Sequence, residues 1–146
     1  MPKRVSQAFV SSILYGVNKG LSVILTTEGG KAICRYIARG MFEFLVNRGI
    51  AKRDMSIKEL EKLLVDKLGL AENVEIQDSG DKLSVKVYSP TLTDFLEEMM
   101  KNRVPLILCP LIAVLIEVYH TKGVKLNLEN ALPRDYGIEL VFSKEE

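Results

Sequence analysis

Apolar residues recur with a helical period in the first half of the chain, and this pattern predicts three helices. The first is expected over residues 6–25 and the second over residues 31–47, with a break at 26–30, where Gly29 and Gly30 follow one another. The third begins after Ser56, which forms a capping box with Glu59, and ends at Gly69. The first half is therefore predicted to be helical.

In the second half the apolar period changes to two, which predicts two β-hairpins, each with one apolar face. The predicted strands cover residues 74–77, 83–88, 124–129 and 138–143. The first hairpin turns at Ser79-Gly80-Asp81, and the second has Pro133-Arg134-Asp135 in its connection. Two helices are expected between the hairpins, one capped by Thr91 and one that follows Pro110 and ends before Gly123.

The predicted order of elements is therefore α-α-α-β-β-α-α-β-β. A sheet whose strands alternate apolar and polar residues packs on helices with one face and leaves the other free. We predict an α+β fold of two layers, in which helices pack on a mainly antiparallel four-stranded sheet. The 146 residues are expected to form a single domain, 1–146, because the length is ordinary for one domain and no linker divides it.

The first predicted helix carries no charge over residues 5–18, whereas a helix with one face in water normally carries charges there. We therefore expect it to be covered on most of its circumference. Its predicted apolar stripe comprises Phe9, Val10, Ile13, Leu14, Val17, Leu21 and Ile24. The opposite face carries Ser12, Gly16 and Gly20, which are small and spaced by four. These three residues are the predicted contact of a homodimer, since twofold dimers are the commonest closed assembly.

Composition bears on partners and location. Twenty Lys and Arg face nineteen Asp and Glu, for a net charge of +1, so a nucleic-acid partner is not expected. The longest apolar run, residues 104–116, is shorter than the roughly 20 residues that span a bilayer. With no targeting segment visible and only Cys34 and Cys109 to pair, reduced thiols in the cytoplasm are expected. The absence of Trp and the abundance of Lys and Glu suggest a thermophile.

The sequence predicts no cofactor and no metal site. Cys109, Glu117 and His120 are too few ligands for structural zinc or a di-iron centre. Gly29-Gly30-Lys31 lacks the spacing of a phosphate-binding loop. A group of basic residues has no interleaved aromatic residue and is interpreted as a solvated face; it comprises Arg35, Arg39, Arg48, Lys52 and Arg53.

Three segments of the second half carry a resemblance to a known family. They are Cys109-Pro110-Leu111-Ile112-Ala113 at a helix start, Gly123-Val124-Lys125-Leu126 in a strand, and Tyr136-Gly137-Ile138-Glu139-Leu140-Val141-Phe142 in the last strand. In this arrangement the chain resembles the 4-vinyl reductase domain family. That family has a Cys-Pro-aromatic helix start, a Gly-Lys/Arg-Val strand and a final Cys-x-Phe-x-Ile strand.

The resemblance implies a fold shared with haem NO-binding domains and trafficking-particle subunits, and a module that binds a small molecule or dimerises. Only Cys109 can be carried over as a position. The family's later cysteines are missing here, so no metal or redox role of theirs is transferred. The proximal His and the Tyr-x-Ser-x-Arg signature of the haem branch are also absent from the sequence.

Three functions stay open. The first is a binding or sensory module for an apolar small molecule, and the second is a ligand-free dimeric interaction or scaffold protein. The third is a reductase-type enzyme, which the missing cysteines disfavour. The most spare apolar surface is expected on the run 104–116 and on the second helix, residues 33–46, next to methionines, which often line adaptable apolar sites. The predicted pocket residues are Cys109, Ala113, Met41, Met99 and Met100. The alternative is that these residues only fill the core.

Overall fold

Five helices and four strands form the part of the chain that this computed structural model describes, residues 4–145. The helices are α1 (Gln7–Ile24), α2 (Thr27–Asn47), α3 (Ile57–Lys62), α4 (Thr93–Lys101) and α5 (Pro110–Thr121). A π-helical turn, Leu63–Lys67, continues α3. The strands are β1 (Ala71–Asp78), β2 (Lys82–Pro90), β3 (Lys125–Arg134) and β4 (Gly137–Glu145). The predicted order of elements is confirmed.

The four strands form one antiparallel sheet in the order β1-β2-β4-β3. The two hairpins therefore lie side by side, joined through β2 and β4. β3 runs past its predicted end to Arg134 because an edge strand tolerates Pro133. The connection between β3 and β4 shrinks to Asp135 and Tyr136, and a bulge interrupts the pairing between Leu128 and Asn130.

The main core lies between the sheet and the helices, as the α+β prediction requires. Its fully buried members include Val85, Val87 and Phe142 of the sheet and Leu115 and Val118 of α5. A second core joins α1, α2 and α4 to the other side of α5. Its buried members are Leu14, Ala38, Phe95, Met99, Val104, Leu108 and Ala113. Because α5 contributes to both cores, it is the central helix of the fold.

The predicted break over residues 26–30 is wrong, because α2 already begins at Thr27. The N–H of Gly29 donates to the Thr26 hydroxyl at 3.1 Å, so an N-cap compensates for two glycines in the first turns. Glu28 also lies in the first turn, where the positive end of the helix dipole favours a carboxylate. Only Leu25 and Thr26 separate α1 from α2.

The prediction that Thr91 caps α4 is also wrong, because Leu92 occupies the N-cap position and makes no side-chain cap. The Thr91 hydroxyl instead donates to the carbonyl of Gly69 at 2.6 Å. The N–H of Thr91 donates to the carbonyl of Leu70 at 2.9 Å. Thr91 therefore ties the end of β2 to the segment that follows the π-helical turn.

Helix α1 turns only part of its predicted apolar stripe inward. Leu14 is buried in the second core, and Val10 and Val17 pack against it, whereas Phe9 and Ile13 are 57% and 50% exposed. The helix is rotated relative to the prediction because the buried Asn18 makes tertiary hydrogen bonds that its sequence context does not reveal. Within one chain, α1 is not covered on most of its circumference.

Gly137 starts β4 at a place where two backbone segments nearly touch. Its φ is +150°, and a Cβ atom there would lie 2.2 Å from the carbonyl oxygen of Val87. The neighbouring Tyr136 carbonyl accepts the N–H of Ser89 at 2.9 Å, and the Tyr136 ring stacks on that of Tyr88 at 4.5 Å. The close crossing of the two hairpins therefore requires glycine at this position.

Candidate ligand-binding site

A cavity of about 280 Å³ opens between α2, α5 and β3. The end of α1 and the extended segment before α5 complete its wall. This volume is near the lower end of the range for small-molecule pockets. Most of the wall is apolar and comes from Leu25, Leu106, Ile107, Ile112, Ile116, Leu126 and Leu128. A hydrophobic group of modest size would fit such a space.

Asn18 fixes the extended segment that closes one side of this cavity. Its side-chain amide is fully buried and its Oδ1 accepts the N–H groups of Ile107 and Leu108 at 2.6 and 2.8 Å. Its Nδ2 donates to the carbonyls of Leu108 and Leu14, both at 2.8 Å. The carboxamide thus acts as a strand partner for residues 107–108 and holds the Ile107 side chain at the wall.

Gly30 in the second turn of α2 lies against the same segment. A Cβ at Gly30 would meet the Ile107 side chain at 3.5 to 3.8 Å. These are ordinary contact distances, so the helix lies directly against the segment. Gly30 therefore belongs to the cavity wall rather than to a loop.

Both cysteines line the cavity, one from each side. Cys34 projects from α2 and is buried, while Cys109 precedes α5 and is half-buried. Burial raises the pKa of the Cys34 thiol, and the nearby positive charge of Arg35 partly opposes this. Burial also raises the pKa of Cys109, although hydrogen bonds from the backbone N–H groups of Ile112 and Leu111 lower it in part. Both groups are therefore neutral thiols at neutral pH, and weak nucleophiles.

The cavity also has a cationic edge. Lys31, Arg35 and Arg39 follow one another at intervals of four along α2, and all three line the cavity. Among the described residues, no carboxylate oxygen lies within 4.0 Å of these three cations. The Arg39 guanidinium lies 5.4 Å from the ring centroid of the exposed Tyr36. We call Lys31, Arg35 and Arg39 the α2 cation row.

The other polar side chains of the lining come from α5 and β3. Lys125 lies 3.8 Å from Glu145, which partly neutralises it. Glu117 is half-buried and His120 is exposed on the same face of α5. Asn127 adds an amide, which donates to Glu145 at 2.9 Å. Within the described lining, cationic side chains therefore outnumber the single carboxylate.

A much smaller cavity of about 40 Å³ lies on the other side of Cys109. Leu106, Cys109 and Ile112 line both cavities. The remaining wall is apolar and includes Phe95 of α4 and Leu140 of β4. Cys109 thus stands in the partition between a cavity lined partly by charged groups and a small apolar cavity.

The predicted pocket residues do not come together at one place. Cys109 lines both cavities, whereas Ala113 and Met99 are buried in the second core and Met41 is half-buried against it. Met100 is 62% exposed. Ala113, Met41, Met99 and Met100 line neither of the two cavities.

Ser12, Gly16 and Gly20, the predicted dimer residues, are exposed on α1. A Cβ at Gly16 or Gly20 would meet no atom within 4 Å. The same helix exposes Phe9, Ile13, Val23 and Ile24. This set of small and apolar residues, which we call the α1 face, is open in the single chain.

Sequence reasoning named two of the segments that line the cavity, the run 104–116 and α2, but missed most of the lining residues. Arg35 and Arg39 were interpreted as a solvated face, although Arg35 is half-buried and both line the cavity. Their spacing of four with Lys31 is the one available signal. The other members of that basic group do lie elsewhere, since Arg48 stacks on Phe44 and Lys52 pairs with Glu59.

Over residues 4–145, no group of three or more His, Cys, Asp or Glu side chains is arranged to hold a metal ion. None of the helices in that range combines the length and apolar character needed to cross a membrane.

The uncharacterized protein MJ0758 of Methanocaldococcus jannaschii is 30% identical to this chain over 144 residues, which cover 97% of this chain and 90% of the relative. The chain belongs to the MJ0758 family. The aligned part of the family includes every element that lines the cavity, because almost the whole chain is covered. No family model matches the sequence.

Proposed function

We propose that this protein binds a small, largely apolar molecule in the cavity between α2, α5 and β3. The observation that carries the proposal is an open space of about 280 Å³ whose wall is mostly aliphatic. An open, concave space with a mostly apolar wall and a few polar groups is the usual form of a small-molecule site. The protein is thus a binding or sensory module, with neither thiol ionised for nucleophilic chemistry.

The resemblance to the 4-vinyl reductase domain family supports the same proposal. Both the order of elements and the position of Cys109 at the start of α5 suit that family. In the proposed role Cys109 acts as a wall residue and holds no metal. The two cysteines are free thiols, which is consistent with the proposed cytoplasmic location.

A neutral fluorescent probe tests this function. N-phenyl-1-naphthylamine is expected to bind with micromolar affinity at one site per chain. Ile116→Trp places a large ring in the cavity and should weaken binding at least tenfold. Ala131→Trp adds the same ring on an exposed part of β3 outside the cavity and should leave binding unchanged. Absence of probe binding, or equal binding by both variants, would overturn the proposal.

The position of Ala113 explains why it is not the blocking site. This residue is fully buried in the second core. A phenylalanine there would overpack α5 against α1 and α4 and destabilise the protein. Ile116 is half-buried and lines the cavity, so a larger side chain can enter the open space.

A second candidate function is a dimeric interaction protein, and the α1 face favours it. The exposed apolar residues lie on a helix whose sequence carries no charge from Val5 to Asn18. In a twofold dimer, Gly16 and Gly20 would let the two copies of α1 approach closely. Sedimentation equilibrium measures this assembly directly. The two candidates are compatible, because the α1 face and the cavity are distinct surfaces.

A further inference from the structure

We propose that the ligand of the cavity is an amphipathic carboxylate, held by the α2 cation row at the mouth while its apolar part lies among α5 and β3. This proposal rests on the proposed binding function and specifies the class of ligand. Two features carry it, the excess of cations in the lining, three of them on α2, and the aliphatic side chains that α5 and β3 contribute.

The charge balance favours an anion. The α2 cation row contributes three positive groups, and within the described chain none of them has a carboxylate within 4.0 Å. Lys125 is already close to Glu145, at 3.8 Å. Glu117 is the single carboxylate of the lining. Cations gathered on one side of a cleft raise the local concentration of an anionic ligand.

The positive charge also reaches into the cavity. Arg35 is half-buried, and its charge lowers the pKa of the buried Cys34 thiol against the effect of burial. A guanidinium in this position can donate two parallel hydrogen bonds to a carboxylate. The Arg39 guanidinium lies 5.4 Å from the Tyr36 ring centroid, and a cation–π contact of this kind leaves the guanidinium without a carboxylate partner among the described residues.

The aliphatic part of the wall determines the chemistry of the rest of the ligand. Ile112 and Ile116 of α5 face the cavity together with Leu126 and Leu128 of β3. None of these aliphatic side chains can form a hydrogen bond with a polar group of the ligand. A volume of about 280 Å³ suits a short chain or a single ring better than a long lipid. The ligand is thus a small carboxylic acid with one apolar body.

Three molecules with the same eight-carbon chain test the head group. Octanoate, 1-octanol and octylamine are titrated by calorimetry into the whole protein at low salt. Octanoate is expected to bind at least tenfold more tightly than octanol, and octylamine more weakly than octanol. The preference for octanoate should fall as salt is added, because the cations are partly exposed.

Variants then test whether the preference for octanoate over octanol depends on the α2 cation row. Arg35→Gln with Arg39→Gln should reduce octanoate affinity to that of octanol, while octanol binding stays unchanged and reports an intact cavity. Lys58→Gln removes an exposed cation of α3 and should change neither affinity.

Each contrary result has its own meaning. Equal binding of octanoate and octanol, or a preference that survives in the double variant, overturns the carboxylate proposal and leaves the cavity function standing. Binding of the neutral naphthylamine probe without binding of either octyl compound also overturns only the carboxylate proposal. If neither the probe nor any octyl compound binds, both proposals fail.

Discussion

The side-chain amide of Asn18 and the backbone of Leu108 form a reciprocal pair of hydrogen bonds, each 2.8 Å long. The arrangement imitates the pairing of two strands, with one partner supplied by a helix side chain. It joins residues that are 90 positions apart and anchors the segment that carries the cavity residues Ile107 and Cys109. One amide thus links the packing of α1 to the shape of the site.

Replacing Asn18 should therefore destabilise the protein strongly. Asn18→Ala leaves two backbone N–H groups and two carbonyls without their side-chain partner, and we expect a loss of about 3 to 5 kcal/mol in the free energy of unfolding. Asn18→Asp should also destabilise, because a carboxylate cannot donate to the Leu108 carbonyl. Urea unfolding measures both, with the exposed Asn47→Ala as control, expected within about 0.5 kcal/mol of wild type. A small loss for Asn18→Ala would contradict this role.

Two glycines should respond in opposite directions to the same substitution. Gly137→Ala places a Cβ 2.2 Å from the Val87 carbonyl oxygen and should cost about 3 kcal/mol or more, through backbone strain. Gly40→Ala lies on α2 with nothing within 4 Å of the new Cβ and should stabilise by about 0.5 to 1 kcal/mol. Thermal unfolding of the two variants checks the signs, and equal shifts would show that the close crossing at Gly137 is not required.

The hairpins and the capping box could be predicted because their signals are local. Alternating apolar residues give β2 and β4 their buried faces, and Ser56 and Glu59 form the expected reciprocal cap. The register of the sheet places Val85 beside Leu140, so both hairpins present one apolar face to α5. Periodicity and capping chemistry were sufficient for the α+β class.

The site could not be predicted because it depends on which helix faces meet. Apolar periodicity placed Phe9, Ile13 and Leu14 inward, but the hydrogen bonds of Asn18 fix the rotation of α1 so that Leu14 is buried and the other two are exposed. Methionine content predicted Met99 and Met100 in the pocket, but Met99 is part of the core and Met100 is exposed. A row of cations at intervals of four on α2 is equally typical of a solvated face until α5 and β3 are placed beside it.

Tyr119 should make stability depend on alkaline pH. Its hydroxyl is buried without a hydrogen-bond partner among the described residues, and burial, with a smaller effect of Asp78, raises its pKa from 10.0 to about 12. The folded state therefore holds this proton more tightly than the unfolded state. This difference contributes about 2 to 3 kcal/mol to the free energy of unfolding. The contribution is present below about pH 10 and is lost as the pH rises towards 12.

The variant Tyr119→Phe isolates this contribution. It should be as stable as the wild type at pH 7 or more stable by about 1 kcal/mol, since it removes an unpaired buried hydroxyl. Between about pH 9 and 11.5 it should lose less stability than the wild type in urea unfolding. The exposed Tyr36→Phe serves as control and should follow the wild-type curve. Parallel curves for Tyr119→Phe and the wild type would mean that this hydroxyl does not titrate with folding.

The α1 face should govern self-association. Phe9→Glu with Ile13→Glu changes two side chains that are at least half exposed, so the fold of each chain should be retained. If two copies of α1 pack together, four new carboxylates meet at the interface, and like charges brought together without partners disfavour association. Sedimentation equilibrium is expected to show a wild-type dimer and a monomeric variant.

The control for this experiment must remove an exposed aromatic group elsewhere. Phe44→Glu does so on α2, where Phe44 is 56% exposed and the new carboxylate can pair with Arg48 four residues on. This variant should remain dimeric. Gly16→Trp should weaken the dimer without added charge, because the open space above Gly16 in one chain would belong to the partner helix. A monomeric wild type at high concentration would exclude the dimer, whereas a dimer that survives both α1 variants would place the interface on another surface.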